Sequence, residues 1–138
     1  MEIDYSSLIK LAFEARENAR VDYSGFAVGA ALLCCDGDVY TGCNIECGAY
    51  SATICAERVA IFKAISEGKD CFRAIVIVGG KLENEIENYC PPCGFCRQVI
   101  SELCCTDGFE IILAKNAEEF IIYSIDDMLP HAFGGNLL

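Results

Sequence analysis

The sequence runs to 138 residues, the length of one domain with enough chain to bury about two-thirds of its unfolded surface, so residues 1–138 are read as a single domain. Its 21 acidic against 10 basic residues, a formal charge of −11, disfavour a nucleic-acid partner, because polynucleotide binding needs Lys and Arg for the phosphates. No apolar run approaches the roughly 18 residues of a membrane span, and Met1-Glu2-Ile3-Asp4 lacks the basic-then-apolar pattern of a secretory leader, so no membrane partner is expected and the compartment is read as cytoplasmic.

In chain order, residues 2–19 read as an amphipathic helix, with Leu8, Leu11, Ala12, Ala15 and Ala19 at helical spacing. Residues 27–35 form an apolar run that breaks at the turn signal Asp36-Gly37-Asp38 and resumes at Val39-Tyr40-Thr41, which predicts a hairpin. Residues 53–66 read as a second helix closed by Gly68. Residues 74–78 are apolar on successive positions, as a strand covered on both faces requires, with Gly79-Gly80 as its expected end. After a polar loop over residues 81–88, a third helix is expected over residues 93–103, with Pro92 at its start. Further strands are expected over residues 109–114 and 119–123. The order argues for an α/β fold, a three-layer α-β-α sandwich on a mixed sheet of about five strands.

Eleven cysteines dominate the chemistry. In a reducing compartment clustered cysteines are metal ligands or free thiols rather than disulfides, and the odd count points the same way. Cys93-Gly94-Phe95-Cys96 alone fits a redox pair, half of a structural zinc site or two buried thiols. Cys55-Ala56-Glu57-Arg58 changes that balance. Cys55 at one helix start and Cys93 and Cys96 at another supply three thiolates favoured by the helix dipoles. Glu57 is a carboxylate free to act as a base, and three protein ligands with an open fourth position describe a catalytic Zn2+ rather than a structural one. Cys90 is spaced as a further ligand, but Pro91-Pro92 favours extended backbone and directs it elsewhere. Cys34, Cys35, Cys43, Cys47, Cys71, Cys104 and Cys105 are expected to be free thiols. The lone His131 has no second histidine to share a metal with, so acid–base work falls to a carboxylate.

Six segments in register carry a resemblance: Tyr23-Ser24-Gly25-Phe26, residues 28–32, Thr41-Gly42-Cys43-Asn44-Ile45-Glu46, residues 54–58, residues 93–98 and residues 129–134. In order and spacing they are similar to the small homotetrameric, three-cysteine cytidine deaminases, whose zinc motif has a ligand, one residue, Glu, and then Pro-Cys-x-x-Cys. The resemblance implies Cys55, Cys93 and Cys96 as metal ligands, with one zinc per subunit, and Arg58 donating to the ligand sulfurs to offset their charge. Glu57 is then the catalytic proton carrier, taking a proton from the attacking water and delivering it to the pyrimidine ring nitrogen and later to the leaving amine. It further implies a small nucleoside substrate, with Phe26 stacking on the pyrimidine, Asn44 and Glu46 binding ribose hydroxyls, and the Ala56 backbone holding the base. Tyr50 and Phe133 would reach a neighbouring subunit's pocket in a homotetramer. Cys47-Gly48 departs from the Asn-Ala usual after the Asn-Ile-Glu run and loosens that loop.

These residues imply hydrolytic deamination of cytidine and deoxycytidine to uridine and deoxyuridine in pyrimidine salvage. The alternatives are a deaminase of another small aminated pyrimidine nucleoside and a non-catalytic zinc-stabilised interaction module.

Overall fold

A computed structural model describes residues 2–104 and 107–138. The first helix, α1 (Tyr5–Arg16), starts where the Asp4 side chain accepts from the Ser7 N–H and Ser7 hydroxyl, satisfying donors that a helix start leaves free. It is shorter than the periodicity predicts. Beyond Arg16 the backbone turns, and Arg20 pairs instead with Ile45.

Strands β1 (Phe26–Cys34) and β2 (Val39–Cys43) form the expected hairpin. The second long helix, α2, covers Ala56–Ser66 rather than starting at Thr53, because Ile54 is spent in an antiparallel bridge to Ile45 and residues 50–52 form a separate 3-10 turn. Strand β3 (Phe72–Lys81) runs through Gly79 and Gly80, which were expected to end it. The antiparallel partners Ala27 and Val28 on β1 extend the ladder past the apolar run. Helix α3 (Gly94–Leu103), strands β4 (Glu110–Ala114) and β5 (Phe120–Tyr123) and a single turn, α4 (Ile125–Met128), complete the chain. The turn α4 was not anticipated, although Ser124 and Asp127 cap it reciprocally in a pattern readable from sequence.

The sheet order is β2-β1-β3-β4-β5, with β3 and β4 parallel and the other neighbours antiparallel. Period-two alternation sorts its residues onto two faces. Ala31, Leu33, Ala74, Val76, Val78, Ile112 and Ala114 pack against Leu8, Ile9 and Ala12 of α1. Val28, Ala30, Leu32, Ile75, Ile77, Ile111 and Leu113 pack against Ala60, Ile61 and Ala64 of α2 and Ile100 of α3. This is the predicted three-layer α/β sandwich. None of the helices among the described residues is long and apolar enough to cross a membrane.

One close approach fixes the site. A Cβ on Gly42 would lie 2.4 Å from the Ala56 carbonyl oxygen and 2.7 Å from the Ala60 nitrogen, so the first turn of α2 rests directly on β2 only because residue 42 has no side chain.

The cysteines require one correction. Cys35 and Cys71 are joined in a disulfide and are not the free thiols expected. Pairing of Cys34 with Phe72 across β1 and β3 brings the two neighbouring backbones together, and the Cys35 N–H donates to the Cys71 carbonyl at 2.9 Å. Cys34, Cys43 and Cys47 are free, as expected, with Cys34 buried and the other two half-buried, and Cys104 is buried. Cys105 lies outside the described residues.

Candidate active site

The N-termini of α2 and α3 meet beyond the carboxyl end of β3, which is where open α/β sheets place their ligands. Cys55 is the residue capping α2, and Cys93 caps α3. Neither helix start has a side-chain cap, so the free N–H donors and the helix dipoles face the sulfurs. Cys96 follows one turn into α3 and is fully buried. The Sγ atoms of Cys55, Cys93 and Cys96 all lie within 4.8 Å of one another, with Cys55 and Cys93 3.5 Å apart. Sulfurs tetrahedrally bound to zinc at about 2.3 Å are about 3.8 Å apart, so the donor set fits that ion without rearrangement of its backbone supports.

The electrostatics point the same way. The Cys96 thiol donates to Cys55, and with Arg58 nearby this pulls Cys55 down to about 5, while Cys96 is pushed up as the proton-holding partner. An Arg58 Nη2 donates to Cys55 Sγ at 3.4 Å, and the guanidinium lies 5.5 Å from the centre of the Phe95 ring. The Arg58 Nε is buried without a hydrogen-bond partner, and it is the Nη2 bond that directs the cation at the Cys55 sulfur. Cys90 stands apart from the three. It packs beside Gly79, and burial, reinforced by the negative charge of Glu57, Cys55 and Cys93, pushes its thiol up to about 12. It therefore stays protonated, as a non-ligand does.

Glu57 is the buried charged side chain of the described residues, at 4% exposure. Burial first, then the neighbouring Cys55 thiolate, push its carboxyl up to about 7. A carboxyl placed there can both accept and return a proton near neutrality.

The cytidine and deoxycytidylate deaminase zinc-binding region matches residues 2–109. The chain belongs to that family. A cytidine deaminase from Halalkalibacterium halodurans is 45% identical over 131 residues, spanning 95% of this chain and 95% of the relative. One from Sporosarcina psychrophila is 44% identical over 131 residues, spanning 95% and 92%. The crystal structure of a cytidine deaminase from Burkholderia pseudomallei matches with a TM-score of 0.82 at 41% identity, covering 95% of this chain and 100% of that one. Zinc is the cofactor of the family, and the three-sulfur cluster is consistent with it.

Around this centre the remaining predicted residues fall into two groups. Asn44, Glu46 and Phe26 are tied together. Asn44 donates to the Phe26 carbonyl and accepts from Val28 N–H, both at 2.9 Å, while Glu46 accepts from the backbone of Tyr23 and Ser24 at 3.1 and 3.0 Å. Ile45 between them pairs with Arg20 on one side and Ile54 on the other, so this segment leads by backbone pairing to Cys55. Ala56 is fully buried as the first residue of α2, so its N–H is one of the donors no helical carbonyl takes.

Tyr50 and Phe133 form the second group, 76% and 57% exposed. Tyr50 stacks edge-on with Tyr23, and Phe133 is anchored through its carbonyl to Gln98 of α3. Within one chain neither is gathered with the sulfur cluster.

Three supporting residues escaped the sequence reading. Arg16 donates from its guanidinium to the carbonyls of Ala27, Gly80 and Lys81, closing the ends of β1 and β3 beside Phe26. Arg97 donates to the carbonyls of Pro92 and Met128, which fixes the approach to Cys93. Ser24 links Glu46 to Phe26. Apart from the local Arg97–Pro92 bond and the Arg16–Ala27 bond 11 positions along, these arginines reach backbone carbonyls 31 to 65 positions away, which residue spacing does not encode. Ser24 and Arg97 both lie in segments that carry the resemblance, residues 23–26 and 93–98, which offered a signal without a role.

Proposed function

We propose that this chain is a zinc-dependent cytidine deaminase that hydrolyses cytidine and deoxycytidine to uridine and deoxyuridine with release of ammonia. The observation that carries the reading is Glu57, a carboxyl buried to 4% exposure two positions from one sulfur of a three-cysteine cluster. Cys55, Cys93 and Cys96 hold the zinc, and Arg58 offsets the negative charge of three thiolates. When bound, the ion acidifies water for attack near neutral pH.

Glu57 accepts the proton of the attacking water and passes it to the pyrimidine ring nitrogen. The water oxygen bonds to ring carbon 4. Glu57 then carries the second proton to the amine, the carbon–nitrogen bond breaks, and ammonia leaves as the new carbonyl forms. Phe26 stacks on the ring, the Ala56 N–H holds the base, and Asn44 and Glu46 bind the sugar.

Charge supports a nucleoside over a polynucleotide. Glu85 and Glu87, against the single cation Lys81, line the cleft beside Phe26, a negative balance that adds to a chain already at −11 and opposes a phosphate at the rim. The protein acts as a homotetramer in the cytoplasm, in pyrimidine salvage, with Tyr50 and Phe133 completing a neighbouring subunit's pocket. Their exposure, with that of Phe62 and Phe95, supports burial against further copies of the chain.

The test is ammonia release from cytidine, deoxycytidine, free cytosine and a cytosine-containing oligonucleotide, with sedimentation of the same sample. Both nucleosides should be turned over. Cytosine should fail by about 10⁴ in kcat/KM, because the sugar-binding groups are left unpaired, and the oligonucleotide should not react. Ammonia from neither nucleoside would leave the non-catalytic zinc module standing.

A further inference from the structure

The two groups proposed to hold the sugar and the ring are already hydrogen-bonded to one loop. Ser24 stands between them. Its hydroxyl donates to Oε2 of Glu46 and accepts from the Phe26 N–H at 3.0 Å. Oε1 of Glu46 accepts the N–H groups of Tyr23 and Ser24. An ionised carboxylate offers about four acceptor positions, so three donors from residues 23 and 24 leave about one for a ligand. Asn44 is committed in the same way. One of its two amide hydrogens goes to the Phe26 carbonyl, and its oxygen receives Val28 N–H, which leaves one hydrogen free.

What remains is about one acceptor position on Glu46, and one donor and one acceptor position on Asn44, all fixed relative to the backbone that carries Phe26. The bonds from Ser24 also hold Glu46 ionised, below the usual carboxylate range.

We infer that Ser24 is a positioning residue for substrate binding: its hydroxyl ties the sugar-binding carboxylate of Glu46 to the backbone of the ring-stacking Phe26, so that sugar and base are presented to one prearranged unit. This rests on the proposed cytidine reading of the site. Removing the hydroxyl frees Oε2 and the Phe26 N–H together. Ser24 is exposed, so water replaces both partners and the fold survives. The loss falls on the orientation of two groups that touch substrate before the chemical step, and therefore on KM. A serine that merely shaped the turn into β1 would change stability and leave binding alone.

The experiment is steady-state deamination of cytidine by zinc-loaded wild type, Ser24→Ala, Ser24→Thr, Glu46→Ala and the Ser24→Ala/Glu46→Ala double variant, with zinc content and thermal midpoint measured on each. Ser24→Ala should raise KM about tenfold, as loss of a hydrogen bond to a charged group does, with kcat within about twofold and zinc unchanged. Ser24→Thr should restore most of the affinity. In the double variant the KM defect should fall short of the product of the two single defects, because the part of the Ser24 effect that runs through Glu46 is already lost and only the part through the Phe26 N–H remains.

An unchanged KM in Ser24→Ala, or factors that multiply in the double variant, overturns the inference. So does a fall in kcat or zinc content in place of the KM rise. Wild type that releases no ammonia overturns the cytidine reading and this inference with it, whereas active wild type with an indifferent Ser24→Ala sinks the inference alone.

Discussion

Two cysteine regions at opposite ends of the same pair of strands show how differently one fold can use sulfur. Beyond the carboxyl end of β3, Cys55, Cys93 and Cys96 converge from two helix starts, with Arg58 against them. Positive helix ends and a guanidinium favour thiolates there, and thiolates bind metal. At the other end, Cys35 and Cys71 leave β1 and enter β3 side by side, with Cα atoms 5.4 Å apart. Around that pair lie Asp36, Glu67 and Asp70, and Lys69 is occupied by Asp36 and Asp38. Nothing there favours a thiolate cluster, and the two sulfurs bond to each other. Cys34, between the strands' core and this pair, is pushed up to about 11 by burial. The neighbourhood, not the spacing, decides whether a cysteine becomes ligand, bridge or inert filler.

The sharpest way to break this contrast is at the first region. Glu57→Gln should lower kcat by about 10⁴, the upper range for a proton carrier used more than once, while zinc content stays near one per chain. Cys93→Ala should lose both metal and activity. Metal analysis beside the ammonia assay separates the two, and near-normal turnover by Glu57→Gln would remove the mechanism.

A smaller effect is expected one residue along. Arg58→Gln leaves a shorter, neutral side chain with an N–H donor, and should cost about 10- to 100-fold in zinc affinity or activity, the usual cost of losing a group that supports metal ligands. Chelator competition against wild type reads it directly. An indifferent Arg58→Gln would mean the three thiolates need no counter-charge.

The distal region should leave turnover unchanged. Replacing both Cys35 and Cys71 by Ser opens a loop of 36 residues and should lower stability in oxidising buffer by about 3–4 kcal/mol, with deamination at 25 °C unaltered. Added reductant should bring wild type to the stability of the variant. A fall in kcat on losing this pair would show that the two ends of the sheet are coupled.

Sequence made the candidate metal site legible because its parts are local. Each of the three clustered sulfurs lies at a helix start or within its first turn, and Glu57 is fixed by its distance from Cys55 along one turn. The interior strands were equally plain, since β1, β3 and β4 are apolar on both faces and need no partner to be recognised. What stayed hidden depends on partners far along the chain. Thr53 and Ile54 lie outside α2 because Ile45 claims Ile54. Gly79 and Gly80 remain in β3 because β1 supplies their hydrogen bonds. The Cys35–Cys71 bond follows from strand register, which no count of cysteines contains. The clamp through Ser24 joins residues 22 positions apart, and the carbonyls held by Arg16 lie as far as 65 positions away.

The parallel pairing of β3 with β4 has a kinetic consequence. The β1–β2 hairpin closes locally, on the microsecond scale. The strands β3 and β4 reach their places only after two excursions of chain, through α2 and through α3, have folded back across the sheet, and such long-range pairings form slowly. Cys55 and Cys93, 38 positions apart, cannot meet before both excursions are in place. During synthesis the Cys55 thiol and the Cys93–Cys96 pair therefore start apart, alongside Cys35 and Cys71, with wrong pairings open to them. A metal held by all three thiols would need both helix starts in place, and a reducing environment would keep those thiols available until then.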